Sequence, residues 1–385
     1  LGKILKQPET MGMLDMTASV TGVGISMEEI QAKVDVSVSR LEYNKYEYND
    51  FKINGSISKY LFSGEASMHD PNLDFTIKGD LDYTKESPIY TLEAYLANAD
   101  FQNLNLSQRP LKARGGFTVD LITSDFKAIN GKLSIYKVGI YNGEKLYLVD
   151  SLLFASIDQV GESSMTIQSE ILSGKFEGTF NIFTIGTVMK QHLNRYFKLH
   201  DESLNEFITP QNFKFDLTIR DTDLITEILA PDLEPFVPGK IKGEFNSEEN
   251  ILDIEMDIAK IKYATTSFDS VSFRVQSDDT ELSYRLRIKN ILLDTLTIDA
   301  LQLDGRVAND SIYSAVRILN SKNENKYVLG GVFRSQENNF RFRFLKDQVM
   351  LNYSEWLVPE DNYLEFSKQG LVAHNFSISK DPEKI

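Results

Sequence analysis

The stretch NNFRFRFLKDQVML, residues 338–351, decides how the rest of the chain is read. Phe340, Phe342 and Phe344 alternate with Arg341 and Arg343, so three rings point to one side and two guanidinium groups to the other. This is the period of a β-strand with one apolar face. Covering each ring is worth roughly 1.5–3 kcal/mol, so the fold must bring something over that face. The same pattern recurs along the chain. NFKFDLTI sets Phe213, Phe215, Leu217 and Ile219 against Lys214, Asp216 and Thr218. ILDIEMDI sets Leu252, Ile254, Met256 and Ile258 against Asp253, Glu255 and Asp257. LSYRLRI sets Leu282, Tyr284, Leu286 and Ile288 against Ser283, Arg285 and Arg287. One wet and one dry face per strand is the antiparallel pattern. His69–Asn72 (HDPN) and Asn142–Gly143 read as turns between strands.

A short unit, apolar-x-Gly-x-apolar, recurs at 53–57, 77–81, 129–133, 172–176, 176–180, 241–245, 303–307 and 329–333, with a weaker case at 62–66. Positions i, i+2 and i+4 share a strand face, so each glycine falls between two larger side chains on the dry side, where a bend costs least. Asn54-Gly55 and Asn130-Gly131 also fit turns. Helix is scarce. Residues 187–199 carry Met189, Leu193, Tyr196 and Phe197 at helical spacing behind a capping Thr187. DTDLITEILAP (221–231) predicts a second short helix, and the Ser26–Glu29 capping box a third. The expected fold is therefore all-β with minor α: an elongated, strongly curved antiparallel sheet forming a half-open trough. It runs as one continuous β-groove over 1–385, with a helical insertion at about 184–230.

The 385 residues carry 41 basic and 56 acidic side chains, a formal charge of −15. With no basic run, nucleic acid is not an expected partner. There are no cysteines, which rules out disulfides, thiolate metal sites and cysteine nucleophiles. The four histidines, His69, His192, His200 and His374, lack the carboxylate spacing of a zinc helix. No P-loop, dinucleotide loop or nucleophile elbow is present, and the acidic residues fall mainly on the wet faces of strands. No catalytic residue, metal or cofactor is expected. No eighteen-residue apolar stretch is present, and a chain opening on Leu1 reads as part of something longer. Four Asp-Ser/Thr-aliphatic triplets, at 150, 269, 294 and 310, resemble O-glycosylation acceptors of Bacteroidota envelope proteins.

The segment FSGEASMHDPNLDFTIKGDLDYTKESPIYTLEAYLANADFQNLNL (62–106) resembles the middle of TamB proteins of Bacteroidota, within the AsmA-like superfamily. PDLEPFVPGKIKGEFNSEENILDIEMDIAKIKY (231–263) and MLNYSEWLVPEDNYLEFSKQGLVAHNFSI (350–378), with the lone Trp356, are similar to later stretches of the same proteins. The resemblance implies a periplasmic protein held in the inner membrane by a segment this chain does not contain. It also implies contact with a TamA- or BamA-like outer-membrane barrel through further absent parts, and with other envelope complex subunits. The implied role is passage of phospholipid between the two membranes, acyl chains lying on an apolar β-groove and no bond being made. The lining expected from the clearest strands is Phe213, Phe215, Leu217, Ile219, Leu252, Ile254, Met256, Ile258, Leu282, Tyr284, Leu286, Ile288, Phe340, Phe342 and Phe344. Two other roles fit the same pattern: a chaperone receiving unfolded barrel strands by edge pairing, and a structural or adhesive all-β envelope protein with a filled core.

Overall fold

Wherever the sequence alternates, the computed structural model has a strand. It describes residues 11–123, 129–159, 162–199, 204, 207–224, 226, 233–294, 296–336, 339–367 and 370–380. The chain forms two compact units, Leu1–Ser173 and Gly174–Ile385. The first unit contains β1 (Met11–Val23), β2 (Gln31–Tyr43), β3 (Tyr46–Ser58), β4 (Leu61–Asp70), β5 (Leu73–Asp82), β6 (Ile89–Asp100), β7 (Lys112–Ile122), β8 (Asn130–Tyr141), β9 (Leu146–Gln159) and β10 (Glu162–Ser169). Each pairs antiparallel with the next, and no pairing among the described residues joins β10 back to β1.

From β11 (Leu172–Thr179) the chain passes through a helix, α1 (Ile185–Asn194), into a second meander. Its strands are β12 (Asn212–Ile219), β13 (Leu233–Asn246), β14 (Ile251–Tyr263), β15 (Thr266–Ser277), β16 (Leu282–Ile288), β17 (Asn290–Leu293), β18 (Leu296–Ile298), β19 (Ala300–Ala308), β20 (Ser311–Leu319), β21 (Asn325–Gln336), β22 (Asn339–Leu351), β23 (Ser354–Glu355), β24 (Tyr363–Ser367) and β25 (Gly370–His374). Pairing is again antiparallel throughout. It runs from β12 to β16, then β19 to β22, β24 and β25, with β17 and β18 forming a side hairpin on β15. Among the described residues the architecture is all-β with α1 as its one named helix, and the sheet of each unit is open and curved, not closed into a barrel.

Register turns the alternation into rows. In the first unit Val34, Gly55, Gly64, Gly79, Leu92 and Val119 stand opposite one another on six successive strands. In the second, Gly243 and Ile254, Tyr284 and Gly305, and Gly331 and Phe344 do the same. The recurrent glycines thus sit on the dry face, and Gly55 and Gly131 lie within strands, not in turns. The reason for glycine is a neighbour. A β-carbon on Gly305 would lie 2.2 Å from Cζ of Tyr284, one on Gly331 would lie 2.4 Å from Cε2 of Phe342, and one on Gly243 would lie 2.9 Å from Cζ of Phe215. These three glycines are sockets for a ring from a paired strand, which draws the strands inward on that face. Gly305→Val should therefore expel the Tyr284 ring and cost about 1–3 kcal/mol, read by urea unfolding. Gly186→Ala, with nothing within 4 Å of the added carbon, should leave stability unchanged or slightly raised.

Three helix expectations are revised. α1 begins at Ile185 behind Thr184 and ends at Asn194, so it starts before Thr187 and stops short of Leu199. Ser26–Glu29 makes a single turn linking β1 to β2, closed by the Ile30 N–H on the Ser26 carbonyl at 2.9 Å. At 221–231 a helical turn forms at Thr222, whose carbonyl accepts the Thr226 N–H at 2.8 Å. Residues 225 and 227–231 of that prediction lie outside the described residues.

Candidate functional site

The candidate site is the apolar face of the second sheet. Register places twelve of the expected lining residues there in four rows. Phe213, Leu252 and Leu282 share a row with Phe245 and Val307. Phe215, Ile254 and Tyr284 stand beside it with Gly243, Val275 and Gly305. Leu217, Met256 and Leu286 form the third row with Ile241, Phe273, Leu303, Val316 and Leu329. Ile219, Ile258 and Ile288 follow by alternation, next to Gly239, Val271 and Leu301. Phe342 and Phe344 join the face opposite Phe333 and Gly331, and Phe340 lies opposite Phe366.

Cover is uneven across these rows. α1 lies on the first: Val188 and Tyr196 are buried with Phe213, Phe245, Leu252, Val275 and Leu282, and Phe176, Ile185 and Met189 pack around them. The helix is therefore on the apolar face and not on the back of the sheet. Its amphipathic spacing explains this, since Val188, His192 and Tyr196 recur at i, i+4 and i+8. The chain then follows the rim of the strand ends. Tyr196 donates its hydroxyl to the Asp278 carbonyl at 2.6 Å, and the Lys198 N–H donates to Asp310 at 3.0 Å. At the other end of the strands the β17–β18 hairpin packs Ile291, Leu293 and Ile298 against Val271, Ile288 and Leu286. Of the three rings of the opening stretch Phe342 and Phe344 are half-buried and Phe340 stays exposed. Phe376 stacks on Phe344 at 5.0 Å and meets Phe342 edge-on at 6.4 Å, while Phe340 stacks on Phe333 at 5.3 Å.

The third row is different. Leu217, Ile241, Met256, Phe273, Leu286, Leu303 and Val316 are half-buried on seven successive paired strands, and Leu329 on the eighth is exposed. Ile241, Phe273, Leu303, Val316 and Leu329 were not among the residues expected from sequence. Three of them flank glycines in the recurrent units, at 241–245, 303–307 and 329–333, which is the signal that would have found them. The first unit carries an equivalent row, Val36, Ile53, Ala66, Ile77, Ala94 and Phe117.

His192 is the ionisable group most changed by this packing. It is 3% exposed, edge-on to Phe245 and Tyr196 at 5.4 Å each, with Nε2 2.9 Å from Oγ of Ser277. Ser277 gives its proton to the Asn250 carbonyl at 2.9 Å and accepts the Leu252 N–H at 2.9 Å. Its oxygen is then an acceptor for the ring, which fixes the neutral Nε2–H tautomer. Burial, helped by the nearby Arg195 charge, pushes the imidazole down to about 4.

The opposite face is a lattice of ion pairs. Lys214 meets Glu244 at 2.9 Å, Lys242 meets Glu255 at 2.6 Å, and Arg274 meets Asp257 at 2.7 Å. The Arg274 hydrogen bond holds the Asp257 carboxyl below its usual range. A concavity of about 660 Å³ is edged by both signs of charge, Lys240, Lys242, Arg287 and Lys289 with Asp216, Glu255 and Asp257. Among the described residues no cluster of three or more histidines and carboxylates could hold a metal ion. No helix among them is long and apolar enough to cross a membrane. His200 lies outside the described residues. Comparison with known protein families, with curated proteins and with solved structures returns no match.

Proposed function

We propose that this chain is a bridge-like lipid-transport segment of a cell envelope, whose apolar sheet face carries phospholipid acyl chains between an inner and an outer membrane. The observation that supports the reading is the third row. Eight strands in succession present aliphatic or aromatic side chains that the protein's own helix, hairpin and C-terminal segment leave half-buried or exposed. A monomeric protein rarely leaves so continuous an apolar strip without an occupant. Each acyl CH₂ moved from water onto such a strip gains about 0.8 kcal/mol. Leu, Ile, Met, Phe and Val in sequence offer nearly equal sites, so a tail slides along the row without a deep minimum to trap it. The charged face and the rims leave room for head groups in water. The resemblance to TamB proteins points the same way and supplies the periplasmic setting.

The reading assigns no bond-making residue, and the direction of net transport lies outside a uniform strip. The chain purified under detergent-free conditions should carry phospholipid at around one molecule or more per chain. An organic extract quantified by mass spectrometry measures it. Protein that is folded by circular dichroism yet yields lipid far below one per chain, even after incubation with phospholipid vesicles, overturns the proposal.

A further inference from the structure

We propose that the charged face of the Gly174–Ile385 sheet holds a binding site for a phosphate monoester, built from Arg334 on β21 and from Arg341 and Arg343 on β22. The chain carries −15 overall, yet strands β15, β16 and β19–β22 hold eight arginines against three carboxylates, Asp269, Asp304 and Asp347. Each arginine alternates with residues of the dry rows, so all eight project from the wet face. Arg285, Arg287 and Arg317 share Asp304 at 3.4, 2.5 and 2.8 Å. At β21–β22 carboxylates are fewer. Arg334 and Arg341 stand directly opposite one another, and like charges so placed in an antiparallel pair cost stability. Arg341 meets Glu365 on β24 at 2.5 Å, whereas Arg334 donates to the Tyr313 hydroxyl, a neutral acceptor. Arg343 is half-buried, and no hydrogen bond or ion pair ties it to any described residue. Its five N–H donors are therefore available to an external acceptor.

The three guanidinium groups edge one concavity of about 300 Å³, at the lower end of the range for small-molecule sites. Its walls are held in place. Val332, opposite Arg343, and Asn362 are each 1% exposed. The Asn362 side chain accepts the Phe344 N–H at 2.8 Å and donates to the Phe344 and Pro359 carbonyls at 3.1 and 2.7 Å, which pins the segment before β24 onto β22. The Arg341 guanidinium lies over the Tyr363 ring at 4.2 Å, and that ring stacks on His374 at 4.9 Å. Two of the nearby carboxylates are engaged: Glu365 by Arg341, and Asp361 by Asn375 at 2.6 Å and His374 at 3.3 Å. Glu360, exposed at the edge, then stands against both Arg334 and Arg343, so the site keeps a positive balance. A carboxylate is filled by one guanidinium fork, as Glu365 is by Arg341. A phosphate monoester brings three acceptor oxygens and nearly two charges, which matches several forks at once. Arg343 lies between Phe342 and Phe344, whose rings face the other side of the sheet, so the site does not depend on what occupies the apolar face.

A soluble ester and a lipid head group both carry this chemistry, and two probes separate them. Calorimetric titration of the full chain with glycerol 3-phosphate, in about 50 mM salt to limit screening, should give a dissociation constant of about 1 mM or tighter. Co-sedimentation with phosphatidylcholine vesicles containing phosphatidic acid presents the same group on a lipid. Binding of the soluble ester shows that the phosphate group suffices; binding of the vesicles alone assigns a lipid head group. In either case Arg343→Gln should weaken binding at least tenfold with an unchanged melting temperature, since no protein partner is lost. Arg334→Gln should act in the same direction, and Arg343→Lys, which keeps the charge without the fork, should recover only part of the loss. Arg285→Gln removes one charge from the same face outside the concavity and should change binding less than twofold. Failure of the unmodified chain to bind either probe overturns the proposal. So does a loss in Arg285→Gln equal to that in Arg343→Gln, which would trace the effect to net charge.

Discussion

Lowering the pH from 7 to 4 is expected to cost the Gly174–Ile385 unit about 3 kcal/mol through His192 alone. The folded imidazole titrates at about 4, against 6.5 for the free side chain. A depressed histidine pKa means that the unfolded chain takes up the proton first. The stabilising difference is therefore complete above pH 6.5 and declines as pH falls through 6.5 towards 4. Below 4 both states are protonated and nothing further is lost. Each unit of difference is worth about 1.36 kcal/mol. The physical source is the Phe245–Tyr196–Ser277 enclosure, which offers a neutral ring one acceptor and an imidazolium no second one. Carboxylates such as Asp257 also titrate in acid, but their depressed values put their losses lower. His192→Phe separates the two. It gives up the Ser277 hydrogen bond, about 1 kcal/mol, and should flatten the slope of stability between pH 6.5 and 4. Urea unfolding followed by the single tryptophan, Trp356, measures both proteins. Parallel slopes over that window would refute the assignment. Since α1 holds the first row of the apolar face closed, the same acidification should loosen the helix and uncover Phe213, Leu252 and Leu282.

The strands were legible because one face is wet: alternation at 212–219, 251–258 and 282–288 maps directly onto β12, β14 and β16. The glycine units were legible as curvature, although their partner rings were not, because Tyr284 reaches Gly305 only through register. Two features had no local signal. At Asp50 and Ser270 the backbone takes φ of 51° and 52° inside a strand, and beyond each the dry parity changes. Phe51 and Val38 give way to Tyr48 and Leu41, and Ile258 and Val271 give way to Ile261 and Phe268. A positive φ at a serine or aspartate cannot be read from spacing, so the clusters around Leu104 and Ile291 at those strand ends were not anticipated. The start of α1 was misplaced for a chemical reason. Thr184 makes no side-chain cap; its hydroxyl donates to Asn181 and accepts from Gln211. The capping chemistry of Thr187 is therefore idle. Phe376 was invisible as the cover for Phe344, because a stacked ring 32 residues downstream follows from no periodicity.

Met256→Glu with Leu286→Glu is expected to reduce bound phospholipid at least tenfold while leaving a folded chain. These positions flank Phe273 on three adjacent strands, opposite it on either side. Both are half-buried, Leu286 at the margin of the hairpin cluster. In the empty groove each carboxylate can turn to water, so the fold loses only apolar contact, of the order of 1–2 kcal/mol per site. An acyl chain laid over the same place would strip that water, and desolvating an unpaired carboxylate costs several kcal/mol per ion. The gain of about 0.8 kcal/mol per CH₂ is outweighed along the few carbons that cross the pair. Phe215 is the wrong residue for this test. Its ring stacks on Phe176 at 5.6 Å and sits in the Gly243 socket, so a charge there would damage the sheet whether or not lipid binds. The matched control is Thr218→Glu with Ser283→Glu, which adds the same charge on the wet face opposite Lys240 and Arg306. Lipid per chain, quantified in organic extracts of all three proteins under conditions where circular dichroism shows each of them folded, decides the matter. Undiminished lipid in the Met256–Leu286 variant would place any bound lipid somewhere other than this row, and equal losses in both variants would trace the effect to net charge instead of to contact.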